Sequence, residues 1–201
     1  MKRISIYVIA ALLVVGQSCN NNDESKKDSV EKANDANAIK DTTDMSAAKK
    51  DTMGTMAVND DVADFAVKAA NGGMMEVDLG KLAEQKGVSK GVKDFGAMMV
   101  KEHSKLNDEL KSLAAAKNIT LPTTVGSDMQ KQIDDLSKDT AREFDKNYID
   151  KMVSDHNDDI DLFEKTAKNS KDSAFRNFAV KALPTLYKHL GAAKAIVKSR
   201  G

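Results

Sequence analysis

The chain has 201 residues but only three histidines, and two of these sit in near-repeats, "MVKEH" at 99–103 and "MVSDH" at 152–156. Each repeat carries Met, Val, an acid and His in the same order, with an aromatic, Phe95 or Tyr148, four residues before its Met. The third histidine is His189. Neutral imidazoles are ligands for Zn, Cu, Fe or Ni, and a carboxylate completes a four-coordinate set. Glu76 is the carboxylate whose place in the apolar pattern matches theirs. Met99 and Met152 precede their histidines by one helical turn, so their thioethers are soft donors that favour copper. Glu102, Asp155 and Asp159 are acids placed to orient the rings from outside the ligand set. The alternative for the same residues is a metal-free cluster in which Glu76 hydrogen-bonds the histidines and the methionines only fill space.

These residues must be held by helices. Phe65, Ala69, Gly72, Glu76, Leu79 and Ala83 recur at spacings of three and four, which is one face of a first helix ending near Gly87. "NGG" at 71–73 predicts a kink or a close helix contact there. Ser89 caps a second helix to Lys117, with a seam of Val92, Gly96, Met99, His103, Leu106, Leu110 and Leu113. A third runs from Thr140 to Lys168 through Phe144, Tyr148, Met152, His156, Ile160, Phe163 and Ala167. A fourth spans Asp172 to Lys198 through Phe175, Phe178, Ala182, Leu186, His189, Ala193 and Ile196, and Pro184 predicts a kink or restart within it. Ser127 opens a short extra helix, "DMQKQIDDLSK", in the second-to-third connection. The pattern is all-α, an antiparallel four-helix bundle whose longer second-to-third link fits either an up-down order or a crossover. Glu76, His103, His156 and His189 then fall one per helix on core-facing positions. In an up-down-up-down order they lie within roughly 9 Å of one another along the axis. A second repeat, "FAVKA" at 65–69 and 178–182, relates the first helix to the fourth.

Residues outside the bundle read differently. Lys2 and Arg3 followed by the apolar run "ISIYVIAALLVV" form an export signal too short to span a bilayer. "GQSC" ends this 1–19 segment at Cys19, the only cysteine, which resembles the lipidated cysteine of bacterial lipoprotein signals although Gly16 replaces the usual Leu or Val. The expectation is an exported protein, held by a lipid anchor at an outer-membrane or periplasmic face; the alternative is a soluble periplasmic or secreted chain. Residues 20–59 are polar and mixed in charge, a flexible tether, leaving 60–201 as the bundle domain. Lys plus Arg and Asp plus Glu both number 31, which leaves no electrostatic footprint for nucleic acid. Protein partners are not legible.

"AANGGMMEVDLGKLA" (69–83), "VKDFGAMMVKEHSKLNDELKSLAAAKNITLP" (92–122) and "FDKNYIDKMVSDHNDDIDLFEKTAKNSKDSAFRNFAVKALPTLYKHL" (144–190) together resemble the bacterial DUF4142 family, a domain of unknown function. The resemblance implies a ferritin-like fold in an envelope protein and recurrent polar positions at Glu76, His103, His156 and His189. It supplies no activity. Di-iron bundles carry Glu three residues before His; here Val100, Val153 and Leu186 stand there, so a di-iron centre is not expected. No phosphate-binding Gly loop, Gly-x-Ser-x-Gly elbow or cysteine pair is present. The sequence therefore points to a non-enzymatic binding module holding one transition metal ion, zinc, copper or iron, in its core. The alternative is a metal-free structural or stress-related interaction protein, and a metal-dependent enzyme ranks third.

Overall fold

The computed structural model describes residues 27–47 and 60–200. These form six helices and no strand: α1 (Ser29–Ala47), α2 (Asp60–Lys86), α3 (Lys90–Ala116), α4 (Ser127–Lys138), α5 (Ala141–Asn169) and α6 (Ser173–Lys198). None of them is long and apolar enough to cross a membrane. The signal segment and Cys19 lie outside the described residues.

Local chemistry sets the helix ends. Ser89 accepts from the Val92 amide at the start of α3, Thr140 and Glu143 form a reciprocal capping box on α5, and Asp172 accepts from the Ala174 and Phe175 amides of α6. α3 stops at Asn118, whose φ of 55° is left-handed. The Asn118 and Ile119 amides then return to the Ala115 and Ala114 carbonyls, and Ile119 is buried. α2 runs unbroken through Asn71–Gly73, where Gly73 makes the close helix contact expected there, against Asn107 of α3, and α6 runs unbroken through Pro184 without the restart the proline allowed. The carbonyl that Pro184 leaves without a donor belongs to exposed Val180, where water can reach it.

α2 packs on α3 and α5 packs on α6, and the two hairpins meet through α2–α5 and α3–α6. Gly80 and Gly96 bring α2 and α3 together so closely that a Cβ on either would fall 2.7–2.8 Å from the other's carbonyl oxygen. Each neighbouring pair is antiparallel. Phe65 meets Phe163 while Glu76 meets His156, and Glu102 pairs with Lys188 while Glu109 pairs with Lys181. α3 and α5 therefore run in the same direction, and their connection, with α4 within it, returns along the length of the helices. The up-down-up-down order assumed for the height comparison is not the one observed. The levels still match, because reversing both α5 and α6 leaves the middle of each helix where it was.

Within the stretch expected as a tether, residues 29–47 form α1. It lies against α2 and the irregular stretch before α4. Asn37, 4% exposed, holds Thr120 through both its backbone N–H and its carbonyl (2.7 and 2.9 Å), and Ser29 accepts from the Thr123 amide (2.7 Å). Ala33 is buried beside Asn37, but the helix has no continuous apolar stripe, so hydrophobic periodicity carried no signal. The readable cue was Asp28, which accepts from the Glu31 amide in a cap geometry.

The apolar core is divided. One cluster gathers Phe65, Leu110, Phe163, Phe175, Phe178 and Leu186. The other gathers Leu79, Phe95, Met99, Phe144, Tyr148 and Met152. Between them lies a polar layer.

Candidate functional site

Glu76 of α2, His103 of α3, His156 of α5 and His189 of α6 form that layer, none more than 2% exposed. The rings of the three histidines lie 5.0–5.5 Å apart between centroids. His189 Nδ1 is 3.2 Å from both His103 Nε2 and His156 Nε2, and the nitrogens that the three rings offer lie within 4.8 Å of one another.

The outward nitrogens decide where the protons sit. His156 Nδ1 donates to the Met152 carbonyl oxygen at 2.9 Å, so in the neutral ring Nε2 carries the lone pair. His189 Nε2 donates to Glu102 Oε2 at 2.8 Å, which leaves its Nδ1 bare. Glu76 Oε2 stands 2.8 Å from His103 Nδ1, a contact that requires a proton on one of the two atoms. With that proton on the ring, three lone pairs point at one another. Two imidazole nitrogens each ~2.0–2.1 Å from one ion at a tetrahedral angle stand roughly 3.3 Å apart, so the two 3.2 Å separations suit a shared ion.

Burial holds each of the three imidazoles down at about 4, so all are neutral at pH 7. Burial likewise lifts Glu76 to about 7, against the pull of His156. Asp159 is raised well above its ordinary value by burial and then by Glu76, and burial also raises Asp155. Asp155 is paired with Lys151 at 3.0 Å, and Glu102 with Lys188. Among the described residues neither Glu76 nor Asp159 has a Lys or Arg partner. Both Glu76 oxygens, Asp155 Oδ2 and the Tyr148 hydroxyl are buried without a well-aligned hydrogen bond.

The structure brings together the three histidines of the sequence pattern. It places Glu76 against their outward nitrogens, 2.8 Å from His103 Nδ1 and 3.3 Å from His156 Nδ1, on the far side of the rings from the converging lone pairs. Of the acids, Glu102 touches a histidine directly, Asp159 stands beside Glu76, and Asp155 is occupied by Lys151. Met99 and Met152 are fully buried in the second apolar cluster, and the Met152 carbonyl accepts from His156 Nδ1. Sequence reasoning passed over Asn107, four residues after His103 on the same face, which lines a small cavity together with Glu76, His103 and Asp159.

No curated protein and no solved structure matches the chain. A family model, the domain of unknown function DUF4142, matches residues 47–196, a span that contains all four residues of the polar layer. The chain belongs to the DUF4142 family.

Proposed function

We propose that this protein holds one transition metal ion through His103 Nε2, His156 Nε2 and His189 Nδ1. The observation that carries the reading is the convergence of three nitrogen lone pairs whose opposite ring nitrogens each face an oxygen acceptor. Neutral imidazoles in a dry core repel one another through those lone pairs unless a cation lies between them. Charge is compatible with the same reading: Glu76 and Asp159, both raised by burial and without a basic partner among the described residues, would ionise beside a bound divalent ion and balance it. Glu76, Glu102 and the Met152 carbonyl then orient the rings from outside. Three imidazoles suit zinc, copper or iron. A three-nitrogen site leaves coordination positions open, where a bound ion would polarise a water molecule. The carboxylate bridges of a di-iron centre are not provided. Neighbour order and helix directions support a ferritin-like four-helix bundle with a crossover between its second and third helices. The sequence of residues 1–19 supports export and a lipid anchor at Cys19, which radiolabelled fatty acid incorporation into wild type and Cys19→Ala would test.

A second reading has its own support. A proton on Glu76 that donates to His103 Nδ1 lets His103 Nε2–H donate to His189 Nδ1, which makes a metal-free hydrogen-bond cluster at the same distances. The two readings part in metal analysis of the purified protein. One equivalent in wild type, absent from the His103→Ala, His156→Ala double variant, supports the ion. Equal, near-zero metal in both after zinc, copper and iron loading leaves the structural cluster.

A further inference from the structure

The three nitrogens are sealed from solvent, so an ion needs a path. A cavity large enough for about one water molecule lies against Glu76, His103 and Asp159. Its half-buried walls are Leu106, Asn107 and Asp159. The same Asn107 side chain lines two open clefts on the surface between α2, α3 and the connection before α4. Gly73 faces it from α2: a Cβ at Gly73 would collide with Asn107 Oδ1, so the glycine makes the space in which this side chain lies. Beyond Asn107, toward solvent, stand Met74, Ser104 and Asp108, which offer sulfur and oxygen donors, and Asp78, which is paired with Lys81. On the cavity side stand half-buried Asp159 and buried Glu76, and the Glu76 oxygens are without a well-aligned hydrogen bond. One other wall of the cavity, Leu106, backs onto a surface cleft between α3 and α6. That approach carries Lys101, Lys105 and Lys181 beside Glu102 and Glu109, with Lys181 paired to Glu109, and it is plugged by the apolar Leu106, which gives a hydrated cation no donor at the cavity wall.

We propose that Asn107, seated on Gly73, is the gate of an access route for divalent cations, leading from the α2/α3 surface cleft past Asp159 and Glu76 to the histidines. The proposal rests on the metal reading above. The amide oxygen supplies a weak neutral ligand that passes an ion inward without trapping it, and a rotation about its two side-chain torsions opens the way.

The test is stopped-flow uptake of Zn²⁺ and Co²⁺ by the full chain, preceded by an equilibrium titration. Asn107→Leu should slow association and dissociation together by about tenfold or more while leaving the equilibrium constant within about twofold, the pattern of a gate rather than a ligand. Asn107→Ala should quicken both. Leu106→Ala should change neither. Rates within twofold of wild type in both Asn107 variants, or faster uptake only in Leu106→Ala, overturn the gate while the site stands. A wild-type chain that binds none of Zn²⁺, Co²⁺, Cu²⁺ and Fe²⁺ at equilibrium overturns the site itself, and the gate with it.

Discussion

Replacing Glu76 by Gln should have opposite effects on the metal-free and metal-loaded protein. Glu76 is 1% exposed, and burial moves its carboxyl from 4.5 to about 7. An acid that binds its proton more tightly when folded costs stability as pH rises. The cost is absent below 4.5, grows between 4.5 and 7, and is complete above that window. At ~1.4 kcal/mol per pH unit, the full cost at pH 8 is about 3 kcal/mol, and at pH 5 it is under about 1 kcal/mol. Glutamine keeps an oxygen toward His103 Nδ1 and turns its amide toward Asp159, without the charge. The metal-free variant should therefore be more stable than wild type by up to about 3 kcal/mol at pH 8, with most of the gain gone at pH 5. A neutral acceptor behind His103 also makes its ring a poorer ligand, so zinc affinity should fall about 10–100-fold. Urea denaturation at the two pH values, with and without zinc, and chelator competition read both effects. A Gln variant that is less stable at pH 8 without metal, or that binds zinc as tightly as wild type, would refute this account of Glu76.

Three further outcomes follow from the same structure. The histidines sit at about 4 against an ordinary 6.5, so each contributes stability that is complete above 6.5 and is lost as pH falls toward 4. Up to about 3 kcal/mol per imidazole is at stake, and denaturation midpoints of the metal-free chain should drop steeply across that window and recover when zinc is added. Gly96→Ala sets a Cβ 2.7 Å from the Gly80 carbonyl and should cost about 1–3 kcal/mol, whereas Gly191→Ala, with open space around it, should gain about 0.5–1 kcal/mol; paired thermal melts compare them. Asn37→Ala removes both bonds to Thr120 and should free α1, seen as faster amide exchange over 29–40 with the exchange of α2, α3, α5 and α6 unchanged.

Repeats in the sequence were legible, but their geometric meaning was not. "MVKEH" and "MVSDH" lie on α3 and α5, which run parallel, so Phe95 meets Tyr148 and His103 meets His156 at one constant offset along the chain. The "FAVKA" pair does the same for α2 and α6, where Phe65 meets Phe178. Matching residues thus stand at matching levels on helices that share a direction, which packing alone demands. Helix extents and the one-per-helix polar layer were readable because apolar residues at three- and four-residue spacing mark the buried face regardless of chain order. Chain order was not readable, because a connection long enough to return along the helices is also long enough to fold back at one end. The side of the ring on which Glu76 lies was equally hidden, since periodicity fixes a residue's face and level but not which ring nitrogen its carboxylate meets. Thioether ligation by Met99 and Met152 rested on spacing alone, and spacing does not separate a methionine ligand from a methionine that fills the core. α1 was missed because polar hydrogen bonds to Thr120 and Thr123 hold it, which leaves no apolar stripe to find.

X-ray absorption on the zinc-loaded chain tests the central claim most directly. The account predicts one ion per chain, bound by three imidazole nitrogens at about 2.0–2.1 Å, with one nitrogen lost in His189→Ala. A folded chain that takes up no ion, or one whose bound zinc shows fewer than three imidazoles and is unchanged by His189→Ala, would contradict it.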